Sequence, residues 1–205
     1  MSLKQSVTLV SLKSLFFTLS IFAKEPLVVI ISLDDIAFPL VLNEASLSPE
    51  LDATKQKYLD AINQARSQTQ DCGYKGIKVP VPALKWNDKL YDAAYMHSND
   101  LAETDTFSHT GSGTQSDLVA QKLHPNLGST VTERIEYTGY IWSRYGENIS
   151  AGYGSVESVM TGWLNSPSHC SNIMNPNFKE VGMAFVIKTD SQYYDYWTQN
   201  FATVQ

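Results

Sequence analysis

The sequence predicts an α+β domain in which helices cover a small antiparallel sheet. Two observations carry that expectation. Apolar residues recur at helical spacing through the first two thirds of the body, and the pattern then changes to strand runs near the C-terminus. The 205 residues, 43% apolar and 18% charged, supply enough material for one core and are too apolar for a disordered chain. Fifteen basic against 21 acidic residues give a net charge of −6 with no basic cluster, which argues against nucleic acid as a partner, because neutralising phosphates dominates such affinity. No apolar run reaches the roughly 18 to 20 residues of a membrane-spanning helix, so the main domain is expected to have no stable transmembrane anchor.

The elements follow in order. Lys4 and Lys13 precede the apolar run 15–23, which ends at Ala23 before Lys24, so residues 1–23 read as a secretory signal peptide. Residues 24–50 form an extension or linker. Its apolar stretches at 27–33 and 38–42 leave a second reading open, in which residues 1–45 pack on the domain as a hydrophobic hairpin or helix. The domain proper covers 51–205. Ser48-Pro49-Glu50 opens a helix that Tyr58, Leu59, Ile62 and Ala65 continue to about Gln70, where Cys72-Gly73 stops it. Asn87 caps a second helix with Leu90, Ala93, Ala94, His97 and Leu101 on one face, ending near Thr106. A Gly/Ser/Thr loop over 108–116 leads to a short helix at 117–123, and 125–145 is rich in turn formers and aromatics. Ser155 caps a fourth helix through Val156, Val159, Met160, Trp163 and Leu164, ended by Ser166-Pro167. Residues 181–187 and 194–201 are strands, antiparallel because only a short polar turn joins them.

The chemistry-bearing residues are few. Cys72 and Cys170 fit one structural disulfide, or two buried free thiols, and neither lies in a CxxC pair. Of the four histidines, His97 lies mid-helix and reads as a core residue, and His124, before a proline in a loop, as solvated. His109 and His169 lie in loops where a ring can face a cleft. Glu147, between Gly146 and Asn148, reads as an acid on an inward turn or as a surface carboxylate. No HExxH, GxSxG or phosphate-cradling loop is present, so any site must be assembled from distant segments.

An ordered set of segments resembles a known family: NQAR (63–66), LKWNDKL (84–90), FSHTG (107–111), YGENI (145–149), WLNSPSHCSNIMNP (163–176), VGMAF (181–185) and YWTQNFA (196–202). Together they are similar to the CAP superfamily, the cysteine-rich secretory, antigen 5 and pathogenesis-related 1 proteins, in its compact bacterial, SCP-like form. The resemblance covers residues 52–204. It implies a three-layer α-β-α sandwich, a secreted, periplasmic or otherwise extracellular location, and a central cleft. The family's cleft histidines fall on His109 and His169, and its GEN glutamate on Glu147. A second glutamate found in animal members falls on Ser166, a departure that removes one carboxylate. The resemblance also implies pairing of Cys72 with Cys170, and places Asn148 and Ser166 beside the site.

His109, Glu147 and His169 would form a three-ligand set for Zn2+ or another divalent metal, with Asn148 fixing loop backbone. The expected function is a binding module for a small ligand, a lipid or an envelope or extracellular partner. The alternative is a metal-dependent, protease-like hydrolase that uses the same three residues catalytically.

Overall fold

The computed structural model describes residues 14–19, 27–32 and 49–205, with side chains from residue 53 onward. The expected cleavage site of the signal peptide and most of the linker lie outside the described residues. The chain forms two compact units, Met1–Ser46 and Leu47–Gln205. In the first, β1 (Ser14–Leu19) and β2 (Leu27–Ser32) pair antiparallel, Ser14 opposite Ser32 and Leu19 opposite Leu27.

The second unit carries the remaining elements. Helix α1 (Pro49–Arg66) is followed by a miniature hairpin, β3 (Gln70–Asp71) and β4 (Ile77–Lys78), around a 3-10 turn at Gly73–Lys75. Strand β5 (Lys85–Trp86) leads to helix α2 (Asp88–Thr104), where the Asn87 side chain accepts from the N–H groups of Lys89 and Leu90 as the sequence predicts. Helix α3 (Leu118–Leu123) is capped by Asp117, and α5 (Val156–Leu164) by Ser155. Strands β7 (Glu180–Ile187) and β8 (Asp195–Val204) are the antiparallel pair expected at the tail.

Three elements differ from the sequence reading. Residues 131–137 form helix α4 (Val131–Tyr137), opened by a capping box in which Thr130 and Glu133 exchange bonds. The YGENI segment is no turn: it belongs to β6 (Trp142–Ala151), paired antiparallel with β8 along its length. Ser166-Pro167 ends α5 but also starts α6 (Pro167–Ile173), because a proline at the first helical position loses no intrahelical bond.

The main sheet runs β5-β7-β8-β6, with β5 parallel to β7 and the other pairs antiparallel. Alternation along the strands separates two faces. Val181, Met183, Trp197 and Phe201 join Tyr58, Ile62, Trp163 and Ile173 in the larger core, under α1, α5 and α6. Ala202 packs with Leu90, Ala93, Ile135 and Tyr140, and Tyr196 with Leu101, Ala102 and Ile149, on the side of α2 and α4. Helices on both faces give the α-β-α sandwich of the α+β class. Gly182 lets α2 approach closely, since a Cβ there would stand 2.0 Å from the Tyr91 nitrogen.

Candidate functional site

Edge strand β6 organises the site through its alternation. Glu147 lies opposite Asn200 and faces α2 and α4, whereas Asn148 lies opposite Gln199 and faces α6. Adjacent residues thus reach two different layers of the sandwich, and each holds the segment of one of the two histidines, His109 or His169.

On the α2 side, Glu147 is buried and both carboxylate oxygens are engaged. Oε1 lies 2.8 Å from His109 Nδ1, and Oε2 accepts from Arg134 Nη2 at 2.9 Å. With the Asn200 amide turned to the orientation that satisfies both its ends, its nitrogen donates to Oε2 at 3.2 Å and its oxygen accepts from Ala94 N–H at 3.1 Å. Burial pushes the Glu147 carboxyl up, but the charge of Arg134, with the hydrogen bonds from His109 and Arg134, outweighs it and holds the group below the usual range. Glu147 is therefore ionised and can only accept. His109 must then donate from Nδ1, which leaves Nε2 for solvent on a side chain that is 54% exposed.

Arg134 is the residue that sequence reasoning missed. Its guanidinium is buried on α4 and also donates to Ser129 O (2.8 Å) and His109 O (3.0 Å), so one cation fixes both the backbone of the histidine and the acid that orients its ring. The capping-box pattern at Thr130 and Glu133 is the signal that could have located α4. Two buried carboxylates brace the loop that carries His109. Asp100 accepts from Ser112 N–H (2.7 Å) and from the hydroxyls of Ser112 and Ser116, and Asp117 from the N–H groups of Gly113 and Ser129.

His97 lies beneath this site. Its Nε2 is 2.9 Å from Ser108 O and 3.9 Å from Glu147 Oε1. A carbonyl accepts, so Nε2 carries the proton, and the buried Nδ1 has no partner. Burial lowers its pKa to about 4 despite the nearby Glu147 charge, which keeps the ring neutral near pH 7. His124, expected to be solvated, instead lies 2.8 Å from the capping-box carboxylate of Glu133, and that hydrogen bond raises its pKa. A neighbouring acid in the fold, invisible as a local pattern, accounts for the difference.

On the α6 side, Asn148 Nδ2 donates to His169 O (3.3 Å) and Gln199 Oε1 (3.0 Å), and Asn148 Oδ1 accepts from Asn172 (2.9 Å). Asn172 also donates to Glu147 O (3.1 Å), tying α6 to β6. His169 is half-buried, and burial, followed by the nearby His109, lowers its pKa. Ser166 caps α6 by position, without a side-chain capping bond. The disulfide Cys72–Cys170 anchors α6 to the hairpin after α1, with the Cα atoms 5.5 Å apart.

The fit of this set to a metal is decided by its donors. Among the described residues, no three His, Cys, Asp or Glu side chains converge as a metal-binding group. Glu147, which the three-ligand set requires, already neutralises Arg134 and orients His109, and a divalent cation drawn to Glu147 would meet the guanidinium. As arranged, the donors do not fit a three-ligand centre.

Among the described residues, no helix is long and apolar enough to cross a membrane. The chain is similar to the uncharacterized protein YkwD of Bacillus subtilis, 26% identical over 159 residues that cover 78% of this chain and 51% of that protein. It also resembles the uncharacterized membrane protein YlbC of the same organism, 28% identical over 61% of this chain and 30% of the relative. The chain thus spans about half or less of the length of these curated relatives. Among solved structures, an extracellular SCP-domain protein of Bacillus anthracis superposes with a TM-score of 0.53 at 27% identity, over 76% of this chain and 44% of that one. An outer surface protein of Borrelia burgdorferi gives the same TM-score at 18% identity, over 76% of this chain and 93% of that one, a likeness of fold. The profile of the cysteine-rich secretory protein family matches residues 59–201, and the chain belongs to this CAP family.

Proposed function

We propose that this CAP domain is an extracellular binding module that takes a small ligand or an envelope partner at the cleft mouth formed by His109 and His169. In this reading Glu147 and Asn148 position the two histidines and do not touch the ligand. The observation that carries it is the full engagement of Glu147. A carboxylate held between Arg134 and His109 is neither a spare general base nor an open metal ligand, whereas His109 Nε2 is held in one tautomer and faces solvent. An extracellular location agrees with the apolar run at 15–23, with the disulfide, and with relatives described as extracellular or outer-surface proteins.

One observation favours hydrolysis as a second reading. A carboxylate that orients the far nitrogen of a histidine is also the arrangement that readies an imidazole as general base, here His109. A nucleophile or an activated water would still be needed. Ser168 Oγ lies 3.4 Å from the Tyr74 hydroxyl, and Ser166 makes no side-chain cap bond. A divalent cation in either reading would rest on the two imidazoles alone unless Glu147 leaves Arg134.

The readings separate in one set of measurements on the full chain. NMR titration with a fragment and lipid panel should shift resonances confined to 107–111, 145–149 and 166–170, a hydrolase panel should stay flat with or without chelator, and calorimetry with zinc should show no stoichiometric site. Chelator-sensitive turnover lost in His109→Ala would overturn the module reading, and stoichiometric zinc binding lost in both His109→Ala and His169→Ala would restore the metal.

A further inference from the structure

The hairpin between α1 and β5 is tightly bonded, with one exposed aromatic side chain in its turn and two exposed aliphatic ones at and just past its second strand. Asp71 accepts from Gly73 N–H (2.9 Å), the backbone N–H groups of Cys72, Lys75 and Gly76 bond within the turn, and β3 and β4 pair Gln70 with Lys78 and Asp71 with Ile77. The disulfide to Cys170 fixes the turn. Gly73 and Gly76 supply the positive φ values, 58° and 79°, that the turn requires. A segment this constrained would ordinarily direct its large apolar side chains inward. Instead Tyr74 is 80% exposed, Ile77 70% and Val79 68%, the three most exposed large hydrophobic residues among those described.

Their charged neighbours narrow the choice of partner. Residues 72–82 contain Lys75 and Lys78 and no acid, in a chain that is net negative. Lys75 Nζ lies 5.5 Å from the Tyr74 ring centroid. Separate exposed apolar side chains beside α6, interleaved with lysines and headed by a tyrosine, suit the boundary between water and an anionic lipid surface. There the rings and aliphatic groups enter the headgroup region and the ammonium groups meet phosphates. A protein partner fits less well, because three exposed apolar side chains are a small patch beside the roughly 800 Å² per partner that stable docking buries.

We propose that residues 73–79 form a membrane-docking surface that sets Tyr74, Ile77 and Val79 against an anionic bilayer, with Lys75 and Lys78 pairing with lipid phosphates. Independently of what the cleft binds, docking would bring the His169 helix to the bilayer, since the Tyr74 hydroxyl lies 3.4 Å from Ser168 and Cys72 is bonded to Cys170.

The test is sedimentation of the full chain with vesicles of phosphatidylglycerol and phosphatidylcholine, against phosphatidylcholine alone. Residues 1–46 are common to every variant, so the comparison is made between variants and between the two lipid mixtures. Lys75→Gln with Lys78→Gln should weaken partitioning to anionic vesicles by about 25-fold, about fivefold per lysine, and should leave phosphatidylcholine partitioning unchanged. Tyr74→Ser with Ile77→Ser should weaken it at least about tenfold, from the apolar area withdrawn from the headgroup region. Ile141→Ser, at another exposed apolar residue, should have no effect. Unchanged melting temperatures would show that the variants fold. Absence of vesicle binding, equal binding to both lipid mixtures, or partitioning unaltered by both double variants would overturn the proposal and leave the surface to a protein partner.

Discussion

Acidification should destabilise the domain through His97 well before its carboxylates protonate. Burial holds the His97 pKa at about 4 in the fold, against an ordinary value of 6.5 in the unfolded chain. Between those values the unfolded chain takes up a proton that the native state refuses. Stability is therefore fully present above about pH 6.5 and is lost as the pH falls toward 4. The interval converts to about 3 kcal/mol, and the ring's complete burial means that solvent screening does not reduce it. For a domain of this size that corresponds to a fall in Tm of about 6 to 12 °C. His169, lowered by burial and by His109, acts in the same direction. His124 acts oppositely: its pKa is raised by the hydrogen bond to Glu133, so its contribution is present below the unfolded value and is lost as the pH rises, but the pair is partly open to solvent and screened, so its effect is small. Thermal melts of the wild type and of His97→Gln, whose amide can still donate to Ser108 O, should diverge between pH 8 and 4. The variant should lose less of its melting temperature, by about the 6 to 12 °C above. Parallel curves for the two proteins would refute the assignment of a neutral, buried His97.

Other perturbations test other parts of the fold. Arg134→Met leaves the Glu147 carboxylate buried without its cation and should cost about 3 to 5 kcal/mol in urea unfolding, with Glu147→Gln in the same background recovering part of the loss. Replacing Cys72 and Cys170 by alanine opens a loop spanning 98 positions and should lower stability by up to about 4 to 5 kcal/mol, read from the denaturation midpoint. Gly182→Ala places a methyl group 2.0 Å from the Tyr91 nitrogen and 2.3 Å from the Leu90 carbonyl carbon, so α2 must shift; a loss of about 3 kcal/mol is expected, and a variant as stable as the wild type would disprove the close approach.

Periodicity and capping located the helices that bury one continuous stripe. Asn87, Asp117 and Ser155 each sit where a helix start was expected, and the tail strands have the expected direction. What escaped was structure whose local pattern is ambiguous. Strand β6 contains Gly146 and Asn148, both turn formers in isolation, and becomes a strand because β8 offers it a full ladder of backbone partners. Helix α6 was obscured by Pro167, which reads as a terminator and serves equally as a first helical residue. At the site, the resemblance pointed to His109, Glu147 and His169, and the structure shows how Glu147 and Asn148 hold the segments of the two histidines. Arg134 carried no such signal, since a lone arginine on a seven-residue helix has the appearance of a solvated residue until α4 packs it against Glu147. The same tertiary effect turned His124 from a loop histidine into a partner of Glu133.

The opposed orientation of Glu147 and Asn148 also constrains assembly of the sheet. Were β6 to slide by a single position against β8, the carboxylate would turn toward Asn172 and Gln199, where only amides await it, and the amide would face a guanidinium it cannot neutralise. Both errors strand a buried charge. A mispaired edge is thereby penalised, and the residues that hold the segments of His109 and His169 also serve as the proofreading contact of the fold.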